Sequence, residues 1–115
     1  MLSEYEEQCL LVEYLELKHL QFSKVAQETF TSNWGIVMKN KKSGVRKGIP
    51  DMMIIFPPRE TKYYRLVFIE MKKEKGGVLS PEQKDWLDKL NQCKDVYGFV
   101  CNGFKEAKKI IDSLV

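Results

Sequence analysis

The chain has 115 residues, enough for one domain with one hydrophobic core and too few for two. Its net charge of +3 permits contact with nucleic acid without demanding it, and no apolar run reaches membrane-spanning length and no basic-then-apolar leader opens the chain, so an intracellular protein with no membrane partner is expected. Cys9, Cys93 and Cys101 lack C-x-x-C spacing and accompany a single histidine, His19, which argues against a disulfide framework or a zinc site.

From Ser3 to about Lys18 the apolar residues Tyr5, Cys9, Leu11 or Val12, and Leu15 follow the spacing of an amphipathic helix. Ser3 suits the N-cap. Glu4, Glu6 and Glu7 fall in the first turn, where acids favour the positive end of the helix dipole. His19, near the helix end, is placed to meet exposed carbonyls rather than a metal. His19 to Asn33 reads as a loop with room for a short helical piece. Trp34-Gly35-Ile36-Val37-Met38 reads as a first strand joining the edge of a hairpin further on.

Lys39 to Gly48 carries Lys39, Lys41, Lys42, Arg46 and Lys47 with two glycines, and predicts a flexible cationic loop. Such runs are usually solvated connections. This one directly precedes Pro50-Asp51, which favours phosphate contact without base readout.

Met52-Met53-Ile54-Ile55-Phe56 and Leu66-Val67-Phe68-Ile69 are strand-length apolar runs rich in β-branched and aromatic residues. Between them Pro57 and Pro58 lack backbone donors and the following residues are polar, so the chain must turn. A hairpin folded about Glu60 and Thr61 sets Asp51 opposite Glu70, and the period of two puts Lys72 on the same face as Glu70. The alignment depends on register, because a slip of one residue would turn one set of side chains to the other face.

After the hairpin, Lys72-Lys73-Glu74-Lys75-Gly76-Gly77 forms a second basic turn, with Lys73 and Lys75 bordering the same surface. It lacks the spacing of a nucleotide-phosphate loop, so no nucleotide cofactor is expected. Ser80-Pro81-Glu82-Gln83 opens a helix with an N-cap serine, a proline at the first helical position and a glutamine placed for a capping box; Trp86, Leu87 and Leu90 supply its apolar face. Val96 to Cys101 is a further strand. Asn102 begins a last helix with Phe104, Ala107, Ile110, Ile111 and Leu114 on its apolar stripe, and Lys105, Lys108 and Lys109 on a solvated face. The predicted order is αβββαβα, an α/β fold with one mixed four-stranded sheet flanked by helices.

Two carboxylates about 4 Å apart repel by roughly 4 kcal/mol at an effective dielectric near 20, so a proton or a cation must lie between them. Mg²⁺ suits such a pair, since it takes one or two carboxylates and fills its shell with water and phosphate oxygens. Lys72 would orient water or offset charge growing on a phosphoryl transition state. The implied chemistry is metal-assisted phosphodiester hydrolysis. The plainer reading of Glu70 and Lys72 alone is a strand-end ion pair.

Pro50-Asp51 followed by Glu70-Met71-Lys72 resembles the PD-(D/E)XK nuclease signature. Together with Ser3-Glu4-Tyr5-Glu6-Glu7-Gln8, Gly48-Ile49, Gly76-Gly77 and Leu79 to Leu87, it is similar to the virus-type replication-repair nuclease (VRR-NUC) domain over nearly the whole chain. The resemblance implies a PD-(D/E)XK fold and a metal-dependent DNA endonuclease acting with Mg²⁺ or Mn²⁺. Asp51 and Glu70 would bind metal, joined by the Met71 carbonyl and by Glu4 from the first helix, though Glu7 stays open as that acid. Gln8 would join the catalytic set, and Ser80 and Gln83 would be secondary. It also implies branched DNA such as flaps or four-way junctions, a homodimer, and viral or mobile-element origin. The competing readings are a DNA-binding module that has lost catalysis, which the intact Asp51, Glu70 and Lys72 disfavour, and a structural protein whose acids merely pair with lysines.

Overall fold

The computed structural model describes residues 1–25 and 33–115. Its elements are α1 (Glu4–Leu17), β1 (Gln21–Lys24), α2 (Trp34–Lys42), β2 (Met52–Phe56), β3 (Arg65–Lys72), α3 (Pro81–Leu90), β4 (Val96–Asn102) and α4 (Phe104–Leu114). The four strands form one sheet in chain order. β1 and β3 run antiparallel to β2, and β4 runs parallel to β3. A parallel step needs a crossover, and α3 provides it. The mixed four-stranded sheet flanked by helices is the expected one, and the hairpin register is as expected too: Met52 pairs with Ile69 and Ile54 with Val67.

The element order differs from the expectation in one place. Trp34–Met38 is not the first strand but the start of α2, and the order among the described residues is αβαββαβα. Asn33 caps this helix, its side chain accepting from the Ile36 amide at 3.2 Å. The first strand is instead Gln21–Lys24, inside the stretch read as a loop. It carries one large apolar residue, Phe22, and owes its conformation to the ladder with β2. The cationic segment is accordingly part helix: Lys39, Lys41 and Lys42 occupy the last turn of α2, where cations suit the negative dipole end. The Arg46 guanidinium donates to the carbonyls of Lys41 and Val45. The part of the predicted loop at 26–32 lies outside the described residues.

The core sits where α1 and α4 cover one face of the sheet. Leu11 and Leu15 of α1 meet Met52, Ile54 and Phe56 of β2, Val67, Ile69 and Met71 of β3, and Ala107 and Ile111 of α4. Alternation along β3 sends Phe68, Glu70 and Lys72 to the opposite face, toward α3. Covered on both sides, β3 is buried from Val67 to Lys72. The buried face of α1 runs through Glu7, Leu11 and Leu15, whereas Tyr5, expected on the apolar stripe, is 77% exposed.

Candidate metal and nuclease site

The site lies where β2 begins and β3 ends. Asp51 precedes β2, and its carbonyl accepts from the Val25 amide at 2.8 Å, extending the β1 ladder by one step. Its carboxylate accepts from the Met71 amide at 2.9 Å, which ties it to β3 beyond the last Met52–Ile69 pair. A strand residue directs its N–H and C=O to the same edge, so the Met71 carbonyl also faces the Asp51 side.

Two close approaches hold this end of the sheet. Gly48 has a φ of 92°, and a Cβ there would come within 2.6 Å of the Glu82 backbone carbon. The loop before Asp51 therefore lies directly on the start of α3, and the Trp86 indole donates to the Lys47 carbonyl at 3.0 Å. Gly48→Ala should cost about 2 kcal/mol or more, through left-handed strain plus a backbone clash that no rotamer relieves, and urea unfolding of the variant checks it. At Gly77 a Cβ would lie 2.8 Å from the Lys72 Cβ, so this glycine leaves room for the lysine stem.

Glu70 is 2% exposed. One oxygen, Oε2, lies 3.3 Å from the Lys72 ammonium and accepts from the Gln83 amide nitrogen at 3.2 Å. The other, Oε1, is buried with no hydrogen-bond partner among the described residues. Burial, followed by the nearby Asp51 carboxylate, raises the Glu70 pKa to about 8, outweighing the opposing pull of Lys72.

Gln83 performs two tasks. Its side-chain Oε1 accepts from the Ser80 backbone amide at 2.9 Å while its own backbone N–H donates to the Ser80 hydroxyl at 3.1 Å, closing the predicted capping box. The same Oε1 accepts from the Lys72 ammonium at 3.2 Å. The cap of α3 thus positions both Glu70 and Lys72.

The first helix supplies the third carboxylate. Ligand oxygens of Glu4, Asp51 and Glu70 all lie within 4.8 Å of one another. Glu7 turns elsewhere: it is buried, and its carboxylate accepts from the Phe104 amide at 3.1 Å at the start of α4, where Gly103 offers no side-chain cap. The spacing of α1 left both acids open, and packing separates them. Gln8 lines the same cleft as Glu4 and Asp51. Ser3 caps α1 as expected, and Glu6, read only as a first-turn acid, also completes a capping box there; its S-x-x-E spacing was the missed signal.

Lys41, Arg46 and Lys47 line a second hollow with Glu82, across the Gly48 loop from α3. Lys39, Lys42 and Lys75 are exposed and Lys73 is half-buried.

Three acids around one point, one oxygen of Glu70 orphaned and no sulfur or imidazole donor among them, fit a hard divalent cation. Among the described residues no helix is long and apolar enough to cross a membrane. No curated protein matches the chain. A solved structure described as a VRR_NUC domain protein is similar in fold, with a TM-score of 0.77 and 19% identity, over 100% of this chain and 89% of that one. The sequence model of the VRR-NUC domain matches residues 2–105, and the chain therefore belongs to the VRR-NUC domain family, a family of nucleases.

Proposed function

We propose that the protein is a divalent-metal-dependent DNA endonuclease that prefers branched DNA. The observation that carries this reading is the meeting of Glu4, Asp51 and Glu70 oxygens within 4.8 Å, with the Lys72 ammonium 3.3 Å from Glu70. Glu4, Asp51 and Glu70, with the Met71 carbonyl, would hold Mg²⁺ or Mn²⁺. A divalent ion bound there would supply Lewis acidity to a phosphate oxygen and acidify water.

The remaining work falls to the chain's own groups. Lys72, oriented by Gln83, holds the attacking water and donates to charge developing on the phosphoryl oxygens. Asp51, fixed by the Met71 amide, brings a carboxylate oxygen to the cluster. Gln8 adds an amide beside Glu4. Lys39, Lys41, Lys42, Arg46 and Lys47 before the site, and Lys73 and Lys75 after it, would carry the phosphates on either side.

Pairing of two copies would present two sites for paired cuts in a four-way junction. Exposed Trp34, Ile36 and Met38 on α2, a helix with no buried residue, support a homodimer. Cleavage of labelled duplex, single-stranded, flap and four-way-junction DNA, with Mg²⁺, Mn²⁺ or chelator, tests the reading, with sedimentation for the oligomeric state. Cutting that needs metal and favours a branch supports it. Salt-sensitive binding without cutting under any metal would replace it with a DNA-binding module.

A further inference from the structure

A cleft of about 630 Å³ runs from the carboxylate cluster along α1 and the outer strand β1. Glu4 and Asp51 stand at its site end, Tyr5, Cys9, Val12 and Phe22 form its walls, and Gln8, Glu13 and Lys24 bring polar groups to it. The α1 residues recur at helical spacing and Phe22 and Lys24 share one face of β1, so both surfaces are built by regular structure. The fully buried residues of α1 are Glu7, Leu11 and Leu15; Val12 and Phe22 pack half-buried against the core at the floor of the cleft, and Tyr5 takes no part in that packing. Tyr5, at 77% exposure, leaves most of an aromatic ring in solvent immediately beside the acidic cluster.

We infer that this cleft seats one unpaired nucleobase of the strand whose phosphate lies on Glu4, Asp51 and Glu70. The inference rests on the nuclease reading and deepens it. Charge decides which part of a nucleotide enters. Glu4 and Glu13 would repel a phosphate within the cleft, while the walls are aromatic and aliphatic and suit a base face. Carboxylate and amide oxygens can accept from the exocyclic amino groups and ring N–H of a base, and the Gln8 amide can also donate. Lys24, exposed on β1, is placed for the next phosphate outward.

The volume exceeds what one base requires and falls within the range of ligand pockets. A base stacked in a duplex has both faces covered and cannot enter without leaving the helix, a cost that is least where the nucleotide is already unpaired. Selection for a branch or flap would then arise beside the scissile phosphate and not only from distant contacts.

The test uses the full chain with Ca²⁺ in place of Mg²⁺, and flap and junction DNA carrying 2-aminopurine at each successive position around the branch, against the same strand fully paired. One position near the branch should change fluorescence on binding, and no position in the duplex should. Tyr5→Leu should remove that signal and weaken binding of the branched DNA about ten-fold, with duplex affinity within about two-fold, and Tyr5→Phe should restore both. Tyr5 is too exposed for this change to threaten the fold; Phe22→Leu provides a second wall variant, with the same direction expected.

An unchanged signal in Tyr5→Leu and Phe22→Leu, equal losses on branched and paired DNA, or no responding position would overturn the base seat even if the protein cuts DNA. Failure to cut with Mg²⁺ or Mn²⁺ alongside a Tyr5-dependent signal would instead overturn the nuclease reading and leave the seat standing.

Discussion

Asp51→Asn and Lys72→Met are each expected to lower DNA cleavage by at least about 10²–10³-fold while leaving DNA affinity nearly unchanged. Asparagine keeps an oxygen that can accept from the Met71 amide, so the local fold should survive. What it removes is the negative charge that a divalent cation would need there. Methionine keeps much of the buried lysine stem beside Gly77 but has no ammonium to aim at water or at the phosphoryl oxygens. On the proposed reading phosphate binding would rest mainly on the other cations, so salt-dependent affinity should persist in both variants. Single-turnover cleavage and binding measured on the same preparations distinguish this from misfolding. Near-wild-type cleavage by Lys72→Met would remove the lysine from the chemistry.

The second large effect is a dependence of metal-free stability on pH. Burial, then Asp51, raises Glu70 from 4.5 to about 8. Below about pH 4 this carboxyl is protonated in both folded and unfolded chains. Between there and about pH 8 the folded protein keeps a proton that the unfolded chain releases, so raising the pH favours unfolding by up to about 1.4 kcal/mol per unit. Against typical total stabilities of about 5–15 kcal/mol, this is a large fraction.

A divalent cation held there, as proposed, would compete with the proton and oppose the trend, so the rise in melting temperature with Mg²⁺ should be larger at pH 8 than at pH 5. Glu70→Gln should flatten the metal-free profile over this window and abolish the metal's effect. Thermal melts in chelator and in Mg²⁺ at both pH values read each arm. A wild-type profile as flat as that of Glu70→Gln would mean that Lys72 keeps Glu70 ionised throughout.

The hairpin was legible because two apolar runs and two prolines admit few registers, and the one that folds about Glu60 and Thr61 is the one observed. The cap of α3 was legible for a similar local reason, since Ser80, Pro81 and Gln83 each suit one position at a helix start. Trp34–Met38 was misread because a five-residue apolar run is ambiguous between strand and helix. Its capping residue, Asn33, carried the better signal. Gln21–Lys24 had little strand pattern of its own, and pairing with β2 decides its conformation.

The sequence by itself determined the turn that opposes Asp51 to Glu70, the shared face of Glu70 and Lys72 and the starts of α1 and α3, because these depend on spacing of a few residues and on local backbone chemistry; the starts of α2 and α4 were not legible in this way. Only the tertiary structure decided between Glu4 and Glu7, since both lie on the first turn of α1 and differ only in what packs beside them: Asp51 and Glu70 for one, the start of α4 for the other. It alone turned Tyr5 out of the core toward a cleft, joined the α3 cap to Lys72, and put Gly48 against Glu82. Those are contacts between elements far apart in the chain, set by which faces of the sheet the helices cover, and no local pattern encodes them.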